Sequence, residues 1–165
     1  MKKQYFLFVF LILVAFLGGY LVPKKDNNPT LKFSVSQYRQ LTEYHQDLRE
    51  ALLITSKKDK LDKLIYTYYK VRDAKSGLMH LSLIFADHNI SLDQIDSRVS
   101  QMEIHLKDYI LSEALNMSNS NLEKALENDI EVANLIVTKL NYKNFEQKDI
   151  ASLRNSVKEL STLLR

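Results

Sequence analysis

The sequence predicts an all-α fold, with an N-terminal transmembrane helix followed by an antiparallel four- to five-helix bundle. Residues 5–22 form one apolar run without a charged residue. Both prolines precede residue 31, and Gly77 is the only glycine beyond residue 19. A chain so poor in helix breakers favours long helices over a turn-rich sheet. Apolar residues in the remainder recur three and four positions apart, which is the period of helices with one buried face.

The apolar run is predicted to anchor the protein in a membrane. A helix of 18 residues rises about 27 Å, close to the roughly 30 Å of a bilayer's hydrocarbon core. Paired lysines at positions 2–3 and 24–25 flank it, where they can reach the headgroups. The predicted anchor residues are Tyr5, Phe6, Leu7, Phe8, Val9, Phe10, Leu11, Ile12, Leu13, Val14, Ala15, Phe16, Leu17, Gly18, Gly19, Tyr20, Leu21 and Val22.

A cleaved signal peptide is the alternative interpretation of the same segment. The apolar part of a signal peptide is usually about 7 to 15 residues long and ends at small residues. Here Gly18 and Gly19 are followed by the bulky residues 20–22, so an uncleaved, single-pass signal-anchor is favoured. Residues 1–22 are therefore assigned to a short basic tail and an anchor.

The orientation of the anchor follows from its short basic tail. Lysines lie on both sides of the segment, so the positive-inside rule does not distinguish the two orientations. A very short basic N-terminus usually stays in the cytoplasm, so we expect an extracytoplasmic helical domain at the cell membrane. Ala15 and Gly19 have the spacing that lets two anchors approach closely, which leaves a homo-oligomer open.

Residues 23–33 are assigned to a polar linker and residues 34–165 to the helical domain. We expect a first helix from near Ser34 or Ser36 to about Ile54, with a stripe formed by Tyr38, Leu41, His45, Leu48 and Leu52. Ser56, followed three residues later by Asp59, resembles a capping box and predicts the start of a second helix. Past Gly77, residues 78–86 are apolar on all sides, which indicates a helix surrounded by others; a strand is the alternative.

Three more helices complete the expected count of five. Ser91 is a good N-cap for the third helix, the polar residues 117–121 predict a loop, and a fourth helix follows them. The fifth carries the stripe Ile150, Leu153, Val157, Leu160 and Leu164. Interruptions every 20 to 30 residues favour an intramolecular bundle over an extended coiled coil. We expect the fifth helix to pack into this core, with docking on a partner as the alternative.

The charges argue against a nucleic-acid-binding protein. From Asp26 onward, 19 basic residues face 20 acidic ones, whereas nucleic-acid binding depends on a clustered basic surface. The absence of cysteine excludes disulfides, thiolate metal sites and a cysteine nucleophile. The single glycine of the helical domain also argues against a phosphate-binding loop.

No residue pattern indicates catalysis, a cofactor or a metal. None of the four histidines has the spacing of a metal-binding helix motif. His45 falls on the apolar stripe, where we expect a hydrogen-bonded structural histidine. His105 and Asp108 lie one helical turn apart, where we expect a surface pair, because two ligands do not make a metal site.

The most suggestive functional feature is a pair of tyrosines, Tyr66 and Tyr69. Both point away from the predicted buried stripe and toward Asp62 and Asp73. Exposed tyrosines are typical of recognition surfaces, although another helix covering them is the alternative. We expect a non-catalytic, membrane-anchored interaction protein that serves as a scaffold or accessory subunit of a membrane or cell-envelope complex, with an unidentified protein partner. The alternative is a ligand-binding or sensing extracytoplasmic domain.

Overall fold

A computed structural model describes residues 28–147 and 149–164. The predicted anchor and the first five residues of the predicted linker lie outside the described residues. Within the described ranges the chain forms helices and turns without a strand, which confirms the all-α prediction for this part. The helices are α1 (Pro29–Arg39), α2 (Leu41–Leu53), α3 (Lys57–Phe85), α4 (Asp93–Ala114), α5 (Ser120–Lys139), α6 (Tyr142–Glu146) and α7 (Ile150–Leu163), with a 3-10 turn at Ala86–His88.

Four antiparallel rods form the bundle. Gln40 interrupts the first rod, made of α1 and α2, and α3, α4 and α5 supply the others. The start of α3 meets the end of α4, where Lys60 Nζ lies 3.2 Å from Glu113 Oε1. The end of α5 returns to α1, where the Tyr38 hydroxyl donates a hydrogen bond of 2.6 Å to the carbonyl of Leu140. Because α5 also packs against α2, the four rods close into a ring.

Large side chains from every rod fill the interior. Tyr38, Tyr44, Tyr109 and Phe145 are wholly buried, together with most of the leucines of the predicted stripes. The Tyr38 ring meets the Phe145 ring of α6 edge-on, with 5.2 Å between their centroids. Burying a large apolar side chain contributes about 1.5–3 kcal/mol, so this layer supplies much of the folding free energy.

The first helix begins earlier than expected and is interrupted. It starts at Pro29 and not near Ser34, because the Asn28 side chain accepts a hydrogen bond of 3.1 Å from the backbone N–H of Leu31. Proline at the first helical position has no N–H to leave unpaired, and its fixed φ suits the helix. The second half of the predicted linker is therefore helical, and the rod is divided at Gln40.

The long helix α3 continues through Gly77 to Phe85, which overturns the strand alternative for residues 78–86. Ser56 occupies the predicted N-cap position, but its side chain makes no capping hydrogen bond, so the capping box expected with Asp59 is not formed. Gly77 is the point of closest approach to α1. A Cβ there would lie 2.5 Å from the backbone nitrogen of Tyr38 and 2.6 Å from the carbonyl oxygen of Ser34. Glycine at position 77 thus lets the two backbones pack directly together.

The C-terminal half follows the predicted order with shifted boundaries. The helix α4 starts at Asp93 with Leu92 at the N-cap, so the prediction of Ser91 as N-cap is wrong by one residue; the Ser91 hydroxyl oxygen accepts a hydrogen bond of 3.3 Å from the Asp93 N–H. The loop before α5 comprises residues 115–119 and not 117–121. The predicted fifth helix is α7, and its residues Leu153, Val157 and Leu160 are buried in the domain, so that stripe is used for core packing.

Replacing Gly77 by alanine tests the contact between α1 and α3. An alanine in an open helix position would stabilise the helix by about 1 kcal/mol. At position 77 its Cβ meets backbone atoms that cannot move aside, so we expect a net loss of about 1–3 kcal/mol in the free energy of unfolding. Urea denaturation of the full-length chain, followed by circular dichroism, measures it.

Ser76→Ala is the matched control for this substitution. Ser76 is the preceding, half-buried residue of the same helix. We expect its replacement to change stability by less than about 0.5 kcal/mol. A Gly77→Ala protein more stable than the wild type would contradict the close approach of α1.

Candidate functional site

The outward face of α3 carries large apolar side chains that are open to solvent, with the exposed charged residues Asp62, Arg72 and Asp73 among them. The helix packs against α1, α2 and α4, and its outward face carries what we call the α3 strip: Ile65, Tyr66, Tyr69 and Met79. Tyr66 is 55% exposed and Tyr69 54% exposed, so no helix of the described ranges covers either ring. Leu83 continues the same face at the end of α3.

The outward face of α5 provides the contrast. Every large apolar side chain of α5, a helix described over its full length, is buried or half-buried. Its exposed positions are polar, among them Lys124, Glu127, Asn128, Glu131 and Asn134. The outer side of α5 is therefore polar, whereas the outward face of α3 also carries large exposed apolar side chains. Clusters of exposed apolar side chains mark sites of interaction.

The two tyrosines of the strip have different neighbours. Lys70 Nζ lies 4.7 Å from the centroid of the Tyr66 ring, a cation–π arrangement. The Tyr69 ring meets the Tyr68 ring edge-on at 5.9 Å. The Tyr68 hydroxyl in turn donates a hydrogen bond of 3.3 Å to Glu103 of α4. Each ring is thus positioned by a side chain that itself reaches a neighbouring helix.

An ion cluster between α2 and α3 supports Tyr66. The Lys70 side chain is only 8% exposed and forms ion pairs with Glu43 and Asp47 of α2. Lys63 lies 2.7 Å from Asp47 and 3.0 Å from Glu50. Burial lowers the pKa of Lys70, but its two carboxylate partners outweigh burial and hold the pKa above the ordinary lysine value. Lys70 therefore stays charged beneath the Tyr66 ring.

A second polar group lies inside the bundle. The buried carboxylate of Asp129 on α5 is 2.9 Å from Nδ1 of His105 on α4. Burial raises the pKa of Asp129, and His105 offsets only part of that rise. Tyr44 of α2 is wholly buried nearby, and burial, followed by the charge of Asp129, raises its pKa. The sequence predicts a surface pair of His105 with Asp108. His105 instead pairs with Asp129 of the neighbouring helix.

These polar groups do not assemble a metal site in the described part of the chain. Within residues 28–147 and 149–164, no three metal-ligating side chains come together. Burial, and then the charge of Arg49, lowers the pKa of His45. No described residue forms a hydrogen bond with its buried Nδ1. The absence of catalysis and of cofactors stays a prediction.

An open groove adjoins the α3 strip. It has a volume of about 260 Å³, lies between α3 and α4, and is lined by Arg72, Lys75, Ser76, Met79, Asp96 and Glu103. Lys75 and Glu103 form an ion pair of 2.7 Å across it. Since Met79 belongs to both features, groove and strip form one continuous surface of apolar and charged side chains.

Known proteins offer no guide to this surface: no protein-family model matches the chain, and no curated protein or solved structure matches it. Among the helices of the described ranges, none combines the length and apolar character needed to cross a bilayer. The predicted anchor at residues 5–22 lies outside those ranges.

Replacing Asp129 by asparagine tests the buried pair. Asparagine keeps an oxygen acceptor for His105 but removes the buried charge. Because the folded-state pKa of Asp129 is raised, its favourable contribution is complete below the ordinary aspartate value of about 3.8 and is lost as the pH rises through the folded-state value. We therefore expect the variant to gain stability relative to wild type across that acidic window.

Urea denaturation at a series of pH values measures the difference between the two proteins. Asp108→Asn is the control, because Asp108 is exposed on α4. We expect no pH-dependent difference for it. A stability difference between Asp129→Asn and wild type that is the same at every pH would show that folding does not raise the pKa of Asp129, and would contradict the prediction.

Proposed function

We propose that this chain is a membrane-anchored helical interaction protein, held at a bilayer by residues 5–22 and binding another protein through the α3 strip. It acts as a scaffold or accessory subunit of a membrane or cell-envelope complex and carries out no catalysis. The observation that carries the proposal is the exposed apolar strip on α3, opposite the polar outer side of α5.

The composition of the strip favours a protein partner. Tyrosine, methionine and arginine are enriched at protein interfaces, and the strip with its adjoining groove presents Tyr66, Tyr69, Met79 and Arg72. The Tyr66 ring is already oriented by Lys70. Binding loses less side-chain entropy when an anchor residue is held in place beforehand.

A ligand-binding domain is the alternative, and the groove beside Met79 supports it. Small-molecule sites usually bury most of the ligand's surface in a concave pocket. This groove is open on its outer side, and its two central charges, Lys75 and Glu103, are already paired with each other. A protein partner therefore remains the better-supported interpretation.

Photo-cross-linking in intact membranes tests the proposal. A photoreactive amino acid in place of Tyr69 should form a cross-link to one protein, and the same group in place of Asn128 on α5 should not. Adding Tyr66→Ala should weaken that complex by about 2 kcal/mol, or roughly 30-fold in Kd, if Tyr66 is a central contact.

The fold should survive these changes because both rings are more than half exposed. An unchanged circular dichroism spectrum is the control. A cross-link to a second copy of the chain would assign the strip to self-association. Equal cross-linking from positions 69 and 128, or none from position 69, would contradict the proposal.

We propose that the helical bundle lies on the extracytoplasmic side of the membrane, and protease accessibility tests this orientation. A tag at the C-terminus should be digested when protease is added to intact cells, because the short basic N-terminus is expected to stay in the cytoplasm. Digestion of a cytoplasmic protein serves as the control for leakage. Protection of the tag until the membrane is permeabilised would place the bundle in the cytoplasm instead.

A further inference from the structure

Two exposed apolar side chains lie at the end of the bundle where the chain enters it. Since α1 and α3 run antiparallel and Gly77 is level with Ser34 and Tyr38, the end of α3 lies beside the first turn of α1. At that end Phe33 is 59% exposed and Leu83 is 71% exposed. Both side chains therefore leave much of their apolar surface outside the core.

The chain outside the described residues limits how far this end can be from the anchor. Six residues, 23–28, connect Val22 to the start of α1. Fully extended, they span at most about 20 Å. The helix α1 begins directly after the N-cap Asn28, so no further extended residues lengthen the connection. A headgroup region is roughly 5–7 Å thick, so the start of α1 can lie at most about 15 Å beyond it and is within reach of its surface.

We infer that Phe33 and Leu83 insert into the headgroup region of the same bilayer, so that the bundle rests on the lipid surface through this end. The inference builds on the anchor of the proposed function. Phenylalanine and leucine are among the side chains that surface-bound helices bury at the boundary between headgroups and acyl chains. Asp87 and Asp93 lie at the same end and are exposed, so apolar contact drives the docking and anionic lipid is not required.

Docking in this way orients the α3 strip. Tyr66 lies 17 residues before Leu83 on one continuous helix, which corresponds to about 25 Å. The tyrosines of the strip would therefore face a partner well above the lipid, while Leu83 stays at the surface. The membrane contact and the protein contact would use different parts of one helix.

Single-tryptophan reporters test the inference, because the sequence contains no tryptophan. The full-length chain is reconstituted in phosphatidylcholine vesicles whose acyl chains carry bromine, a contact quencher of tryptophan fluorescence. We expect strong quenching and blue-shifted emission for Phe33→Trp. Adding Leu83→Ser should reduce that quenching.

Two matched reporters make the outcome decisive. Leu53→Trp places the probe at the opposite end of the bundle, at a side chain that is 78% exposed, and should be quenched little. Phe10→Trp lies in the predicted anchor and should be quenched strongly.

If Phe10→Trp is quenched but Phe33→Trp is quenched no more than Leu53→Trp, the docking is overturned and the anchor is supported. An unquenched Phe10→Trp would overturn the anchor and this inference together. Circular dichroism of each variant confirms that the bundle is folded.

Discussion

The close packing of α1 on α3 at Gly77 is the constraint on which the rest of the bundle depends. Because a Cβ at position 77 would already meet the backbone of Ser34 and Tyr38, sliding the helices would bring another side chain of α3 against the backbone of α1. The register set at this point places Lys70 of α3 opposite Asp47 of α2. One glycine thus determines which charges meet two turns further along the interface.

In that register the charged residues of α2 and α3 form ion pairs that disfavour other alignments of the two helices. A lysine buried to the extent of Lys70 would be strongly destabilising without its carboxylate partners, so a shifted register is disfavoured by an unpaired charge. The pair of His105 and Asp129 has the same effect between α4 and α5. Such pairs add little net stability over apolar packing, but they penalise alternative arrangements of four similar amphipathic helices.

Exposed apolar residues are distributed unevenly over the outer surface of the bundle. A bundle that served only to fold would be expected to cover or replace exposed apolar residues such as Tyr69, Met79 and Leu83, because they favour nonspecific association. Exposed apolar side chains also occur elsewhere, for example Ile104 and Leu111 on α4, but α3 carries more of them than any other described helix, whereas the outer side of α5 is polar. One end of the outward face of α3 lies where the chain enters the bundle, and the other carries the tyrosines.

The sequence by itself determined the all-helical class, the N-cap at Ser56 and the exposure of Tyr66 and Tyr69, because helical period and capping depend on residues a few positions apart. It also held the signal for the early start of α1, in Asn28 and the proline after it. Only the tertiary structure decided that His105 pairs with Asp129, 24 residues away. Such pairings depend on how whole helices are aligned along their axes. The spacing of apolar residues within one helix is the same for every such alignment, so it cannot predict which side chains of two helices meet.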